Sequence, residues 1–283
     1  MSDATDGERA GHTERAGERL SDSMSPMDID DLSALAVDLA RDAGALLLGR
    51  FEGGREQALE SKSTPTDLVS EADLASERLI RERLALLRPA DGILGEEGGG
   101  TQGTSGLTWV VDPLDGTVNF LFGIPQWCVS VALTDEQGSL VGAIFDPCRG
   151  ELFVATRNGD PSLNGAPIAA SERTELADAM VATGFAYDAS VRAAQAEVFA
   201  GLVPRVRDIR RFGSAALDLA WTACGRYDAY FERTVKPWDI AAGTLFCERA
   251  GLTVQELPER KGLPLGVLAA VPALAEELFE LVG

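Results

Sequence analysis

The chain is 283 residues long, 45% hydrophobic and 25% charged, with mean hydropathy near zero, which describes a globular protein with ample core for one large domain or two ordinary ones. Its net charge is −20 and no Lys/Arg-rich stripe is visible, so binding to a nucleic-acid backbone is disfavoured. No apolar run is long enough to span a bilayer and the polar N-terminus has no signal-peptide h-region, so the expectation is a cytoplasmic protein without membrane contact.

Cys128, Cys148, Cys224 and Cys247 show no C-x-x-C spacing and read as buried reduced thiols. His12 is the only histidine, which leaves any chemistry to carboxylates, hydroxyls and metals.

Residues 1–26 are polar and charged with few large apolar side chains, and read as a disordered extension. Helical spacing follows over 27–51, closed by Gly53-Gly54, and again over 67–87, with Leu68, Ala72, Ala75, Leu79, Ile80 and Leu84 on one face. Short strands are predicted at 93–94 and 108–111, with the glycine-rich 97–106 between them as a loop. Strands at 127–133, 140–145 and Glu151–Thr156, separated by turn residues, predict an antiparallel meander. Gly, Asn and Pro cluster over 158–167, where a boundary is placed between domains at 27–160 and 161–283. Beyond it, strands at 179–183, 206–211, 228–231, 253–255 and 268–270 interleave with helices at Ala189–Leu202, 214–224, 238–250 and 272–281. That alternation predicts a sheet with covering helices.

The stretch 109–120 carries the most chemistry. A β-branched apolar run ends at Asp112, and Pro113, lacking an N–H, should stop the strand. Asp115 follows in the turn, Gly116 permits close approach of the backbone to a ligand, and Thr117 is placed to cap a short helix. Two carboxylates spaced D-x-x-D beside free N–H groups hold divalent cations and an anion together, the chemistry of a metal-dependent phosphatase. A surface Asx-turn containing two Asp is the plain alternative.

Asp73, Glu96 and Asp239 complete an acidic set. Glu96 follows a short strand and a glycine. Asp239 opens a helix, where complementing the helix dipole alone would explain it. Trp109 and Trp238 flank these motifs and read as packing residues, and Trp127 and Trp221 as core.

Together, Leu94-Gly95-Glu96-Glu97, the stretch 109–120 and the stretch 238–243 resemble the inositol monophosphatase family of lithium-sensitive, Mg²⁺-dependent phosphatases. The segment from Lys62 through Asp67 to Asp73, and that from Gly213 through Asp218 to Glu232, add support. The resemblance runs in order from about residue 28 to the C-terminus and looks closest to bacterial members that hydrolyse inositol 1-phosphate. It implies an α+β fold, a layered α-β-α-β-α sandwich, with the site between an antiparallel N-terminal sheet and a smaller α/β part. It implies Mg²⁺ held by Glu96, Asp112, Asp115, Asp239 and the carbonyl of Leu114, a donor set of hard oxygens. Gly116 and Thr117 would offer N–H groups to the phosphate. Glu96 would take the proton of the attacking water, with Thr117 orienting that water and Asp73 holding the Thr117 hydroxyl. Glu232 would meet a substrate hydroxyl, aided by Gly213, Ser214, Ala215, Asp115 and Asp239, although a charge at a strand end could equally be exposed. Lys62 and Asp67 would belong to a loop binding a weaker third metal, or else be a solvated charge and a helix cap. The resemblance further implies a small phosphorylated polyol as substrate and a homodimer. Histidinol phosphate, fructose 1,6-bisphosphate and a protein-binding regulatory role that keeps the fold stay open beside inositol 1-phosphate.

Overall fold

The structure, a computed structural model, describes residues 28–53, 59–61, 68–260 and 262–283. The extension 1–26, Lys62 and Asp67 lie outside the described residues.

Helix α1 (Ile29–Glu52) starts at Asp28, whose carboxylate accepts the Ile29 N–H at 2.6 Å, and buries Leu32, Leu35, Leu39 and Leu47 at helical spacing. Strands β1 (Leu59–Ser61) and β2 (Leu68–Ser70) pair as an antiparallel ribbon. This ribbon takes residues assigned above to the second helix, so α2 (Glu71–Leu87) begins four residues later than expected. Its cap is Ser70, not Asp67. The Ser70 N–H donates to Asp73 Oδ2 at 3.0 Å and the Asp73 N–H donates to Ser70 Oγ at 3.3 Å, a reciprocal pair that satisfies two otherwise orphaned amides.

Strands β3 (Gly92–Gly95), β4 (Gly99–Thr101), β5 (Thr108–Asp115), β6 (Cys128–Asp135), β7 (Gly138–Asp146), β8 (Glu151–Thr156), β9 (Ser162–Leu163) and β10 (Ala166–Pro167) form one sheet in the order β10-β9-β8-β7-β6-β5-β3-β4. β6–β8 is the expected antiparallel meander. Three features depart from expectation. β3 runs parallel to β5, part of the glycine-rich loop becomes the edge strand β4, and the Gly/Asn/Pro cluster near 160 folds into a small hairpin that extends this sheet. A short helix α3 (Thr117–Leu121) follows β5.

Strand β11 (Met180–Thr183), helix α4 (Ala189–Leu202), strand β12 (Asp208–Arg210), helix α5 (Ala215–Ala223), strand β13 (Ala229–Arg233), helix α6 (Pro237–Arg249), strands β14 (Thr253–Leu257) and β15 (Gly266–Ala270) and helix α7 (Pro272–Val282) make the second half. Its sheet has the order β12-β11-β13-β15-β14, parallel across β12, β11 and β13 and antiparallel at β15.

Alternation along the strands sets the layers. Val111, Val129, Val131 and Leu133 face α1 and α2, whereas Val110, Cys128, Ala132 and Ile144 share a core with α5, α6 and the second sheet. The result is the layered α-β-α-β-α sandwich. Trp109 and Trp127 are wholly buried, as expected, and Trp109 Nε1 donates to Asp91 Oδ2 at 2.9 Å. All four cysteines are free, Cys128 and Cys247 buried and the other two half-buried.

Candidate active site

The site begins where β5 departs from a regular ladder. Pro113 does not end the strand. Asp112 pairs with Ser130 and Asp115 with Cys128, so two residues, Pro113 and Leu114, stand opposite the single Val129. Proline has no ladder hydrogen bond to lose at such a bulge. The bulge places Asp112 and Asp115 toward the same end of the sheet, and Asp112 Oδ1 accepts the N–H of Leu114 at 3.0 Å.

Gly116, not Thr117, occupies the N-cap of α3, with φ of 98° in the left-handed region. A Cβ there would also lie 2.8 Å from the Gln126 carbonyl oxygen, so glycine is required twice over. Thr117 is the first helical residue, and its hydroxyl lies 3.0 Å from Asp73 Oδ1 and 3.1 Å from the Leu114 carbonyl. It has one hydrogen for two acceptors. Asp73 is fully buried and divides its oxygens, Oδ2 to Ser70 and Oδ1 to Thr117.

Asp115 is gripped from the other half of the molecule. Ser214 Oγ donates to Oδ2 at 2.6 Å, and the N–H groups of Ala216 and Ala215, at the start of α5, lie 2.7 Å from Oδ2 and 3.3 Å from Oδ1. Asp239 sits in the first turn of α6 and accepts the Lys236 N–H at 2.6 Å. The helix-start role is therefore present, and the electrostatic one is present with it.

Glu96, Asp112, Asp115 and Asp239 all line one cavity of about 410 Å³, together with Leu114, Gly116, Thr117, Gly213, Ala215 and Glu232. Burial pushes the Asp112 carboxyl well above the ordinary range, and the charges of Glu96, Asp115 and Asp239 push it further. Asp239 is raised by burial and then by Asp115, and Asp115 by burial against the opposing pull of its Ser214 and amide bonds. Among the described residues no three Asp, Glu, His or Cys side chains are gathered into a group that could hold a metal. The donor chemistry nevertheless fits a hard divalent cation. Four carboxylate residues and Leu114 line one cavity, and Asp112 and Asp239 both resist ionisation partly because of the Asp115 and Glu96 charges beside them.

Glu232 is half-buried, not an exposed strand-end charge. Its carboxyl lies against Gly184, where any Cβ would stand within about 2.1 Å of it, and the Tyr230 hydroxyl donates to Oε2 at 2.9 Å. Burial raises it to about 7. Ser214 reaches the site through Asp115, and Asp73 through Thr117, without lining the cavity.

Sequence reasoning missed part of the wall. Phe185, Ala186, Tyr187 and Asp188, on the segment after β11, line the cavity, as do Arg211 and Thr234 to Lys236. Trp238, read as packing, lines it too while also packing against the second core. No local pattern marks these residues; they meet the site because β11 and β13 are neighbours in the second sheet.

With this geometry in view, the comparisons with known proteins are consistent. The pattern described as the inositol monophosphatase family matches residues 28–282. An inositol-1-monophosphatase of Mycobacterium leprae is 43% identical over 276 residues, covering 89% of this chain and 93% of that protein. A protein named Nus factor SuhB of Xylella fastidiosa is 44% identical over 218 residues, 77% of this chain and 78% of that protein. The crystal structure of the extragenic suppressor protein suhB from Bartonella henselae superposes with a TM-score of 0.83 at 32% identity, covering 89% of this chain and 98% of that one. The chain belongs to the inositol monophosphatase family.

Proposed function

We propose that the protein is a Mg²⁺-dependent phosphomonoesterase that hydrolyses myo-inositol 1-phosphate to inositol and phosphate. The observation that carries this reading is the convergence of Glu96, Asp112, Asp115 and Asp239 on one cavity that also exposes Gly116 and Thr117.

Glu96, Asp112, Asp115 and Asp239, with the Leu114 carbonyl, would hold Mg²⁺, which when bound supplies Lewis-acid stabilisation to an in-line displacement at phosphorus. The chain's own groups do the rest. The N–H groups of Gly116 and Thr117 receive phosphate oxygens at the start of α3. Thr117, its hydroxyl steered by Asp73, orients the attacking water, and Glu96 accepts that water's proton. Asp115 is tied to Ser214 and two amides of α5, so it serves as a fixed oxygen donor and not as a nucleophile. Glu232, seated on Gly184 and Tyr230, takes a ring hydroxyl, and the backbone at Gly213 and Ala215 lies alongside. Lys62 and Asp67, on the segment before β2, would serve a weaker third metal.

The test is phosphate release with and without Mg²⁺ from inositol 1-phosphate, histidinol phosphate, fructose 1,6-bisphosphate and 3′-phosphoadenosine 5′-phosphate. The highest kcat/KM on inositol 1-phosphate supports the reading, and preference for another ester replaces only the substrate. Lithium inhibition belongs to the same proposal.

The name Nus factor SuhB borne by the Xylella relative favours a second reading, a regulatory complex with other proteins. A net charge of −20 argues against direct RNA contact in it. Gel filtration with cell extract separates the two: a stable complex indifferent to Mg²⁺ and to Asp115→Asn supports the regulatory role. A homodimer in the cytoplasm completes the proposal. Exposed Phe122, Ile124 and Phe212, on segments joined by the bond from Asn119 Nδ2 to the Phe212 carbonyl at 2.6 Å, support it, and sedimentation tests it. Among the described residues no helix is long and apolar enough to cross a membrane.

A further inference from the structure

Helix α2 buries three polar side chains, Asp73, Ser76 and Glu77, where an amphipathic helix ordinarily buries apolar ones. Their i, i+3, i+4 spacing stacks them on one face. Each reaches a different segment of the candidate site. Asp73 Oδ1 accepts the Thr117 hydroxyl at 3.0 Å. Ser76 Oγ donates to the Pro113 carbonyl at 2.8 Å, inside the bulge that separates Asp112 from Asp115. Glu77 accepts the N–H of Glu97 at 2.7 Å and of Gly98 at 2.8 Å, immediately after Glu96, and is braced by Arg81 Nε at 2.5 Å.

The sheet fixes only the base of the turn that carries Glu96: Gly95 pairs with Gly99 of β4, which leaves Glu96, Glu97 and Gly98 as the turn between β3 and β4. The β3–β5 ladder ends at Gly95 opposite Val111, and the Glu96 N–H reaches the Val111 carbonyl at 3.3 Å. Between these anchors, the amides of the turn are fastened to α2 through Glu77. Likewise the bulge gives up regular pairing at Pro113, where Ser76 takes the carbonyl.

We propose that Ser76 and Glu77 are positioning residues for the phosphatase reaction: through the Pro113 carbonyl and the Glu97 and Gly98 amides they fix Glu96 relative to Asp112 and Leu114. Neither touches the substrate. The proposal rests on the functional reading above, and it makes α2 a rigid rack that sets the spacing of oxygen donors from three separate segments.

The experiment compares wild type, Glu77→Gln, Ser76→Ala and Glu96→Gln, all as full-length protein, for kcat, KM, the Mg²⁺ concentration giving half-maximal activity, and Tm. Outer partners of metal ligands typically govern affinity or rate by about 10- to 100-fold. Glu77→Gln is expected to raise the Mg²⁺ requirement and lower kcat by about tenfold, with KM for inositol 1-phosphate within about twofold. Excess Mg²⁺ should restore part of the rate, a rescue that loss of folded protein would not show. Ser76→Ala, which removes one hydroxyl and no charge, should shift the Mg²⁺ requirement in the same direction by less, and it serves alone should Glu77→Gln fail to fold. Wild-type Mg²⁺ response in both variants beside an inactive Glu96→Gln overturns the positioning role and leaves the functional reading standing. A wild type silent on every ester overturns both.

Discussion

The Ser214 hydroxyl donates to Asp115 Oδ2 at 2.6 Å while accepting the Leu217 N–H at 3.4 Å. One side chain thus caps α5 and orients a carboxylate that belongs to the other sheet. Ser214→Ala should destabilise the protein by about 1–2 kcal/mol, from the lost cap and the less well satisfied buried carboxylate. It should also lower kcat, because Asp115 then has one fewer restraint. Urea denaturation and phosphate release measure the two effects, and a stability loss without a rate loss would detach Ser214 from the site.

Asp115→Asn and Glu96→Gln are near-isosteric and should keep the fold while losing at least about a hundredfold in kcat. Circular dichroism checks the first half of that statement and single-substrate kinetics the second. An active Asp115→Asn protein with unchanged Mg²⁺ dependence would remove Asp115 from the metal set.

The carboxylate cluster sets a pH dependence of stability with a definite sign. Burial and the charges of neighbouring carboxylates raise Asp112 and Asp239, burial raises Asp115 against its hydrogen bonds, and burial lifts Glu232 to about 7. In the unfolded chain these groups titrate near about 4. Between those limits the folded, metal-free protein binds more protons than the unfolded chain, so this contribution is complete at low pH and is lost as pH rises through the folded values. Mg²⁺ held by the cluster, as proposed above, would oppose the loss by compensating the ionised forms. Calorimetry should therefore find a larger Mg²⁺-induced gain in Tm at about pH 8 than at about pH 5.5. A Tm indifferent to Mg²⁺ at the higher pH would contradict the cation assignment.

Glu232 offers a test of substrate recognition separate from chemistry. Glu232→Gln should raise KM for inositol 1-phosphate by about tenfold, with little change for a featureless phosphomonoester, because only the former presents a hydroxyl. Tyr230→Phe, which removes the bond of 2.9 Å to Oε2, should act in the same direction and less strongly. Equal losses on both esters would assign the pair to structure alone.

Arg233, next in the chain, is buried with no carboxylate partner among the described residues. Its guanidinium donates to the carbonyls of Pro258, Pro264 and Val282 at 2.7, 2.8 and 2.8 Å, fastening the end of α7 and the loop between β14 and β15 to β13. Arg233→Met should cost on the order of 3 kcal/mol by stranding three acceptors. Urea denaturation measures it, and a loss below about 1 kcal/mol would mean that water replaces the guanidinium.

Local chemistry was legible in the sequence wherever one short stretch encodes it. The D-x-x-D at Asp112 and Asp115, the glycine before α3, the meander and most helices follow from spacing and turn residues. What Pro113 does was not legible, because a proline that ends a strand and one that sits in a bulge look alike until the partner strand is known. The same holds for α2. Ser76 and Glu77 lie beside the apolar positions of that helix and nothing in the sequence names their partners, which only the docking of α2 beside β5 supplies. Tyr187, Arg211 and Lys236 enter the cavity through the topology of the second sheet, which no local pattern announces.

The acidic cluster draws on residues as far apart as Glu96 and Asp239, and the grip on Asp115 comes from Ser214 and Ala216, far along the chain. Contacts of such long sequence separation form late, after loop closure has been compensated by neighbouring structure. During synthesis, the chain up to the end of the first sheet has three of the four acids and lacks the Ser214, Ala215 and Ala216 donors that grip Asp115. On the proposed function, catalytic competence would arrive only when α6 has docked, so the return of activity during refolding should lag the return of helical signal and report completion of the whole sandwich.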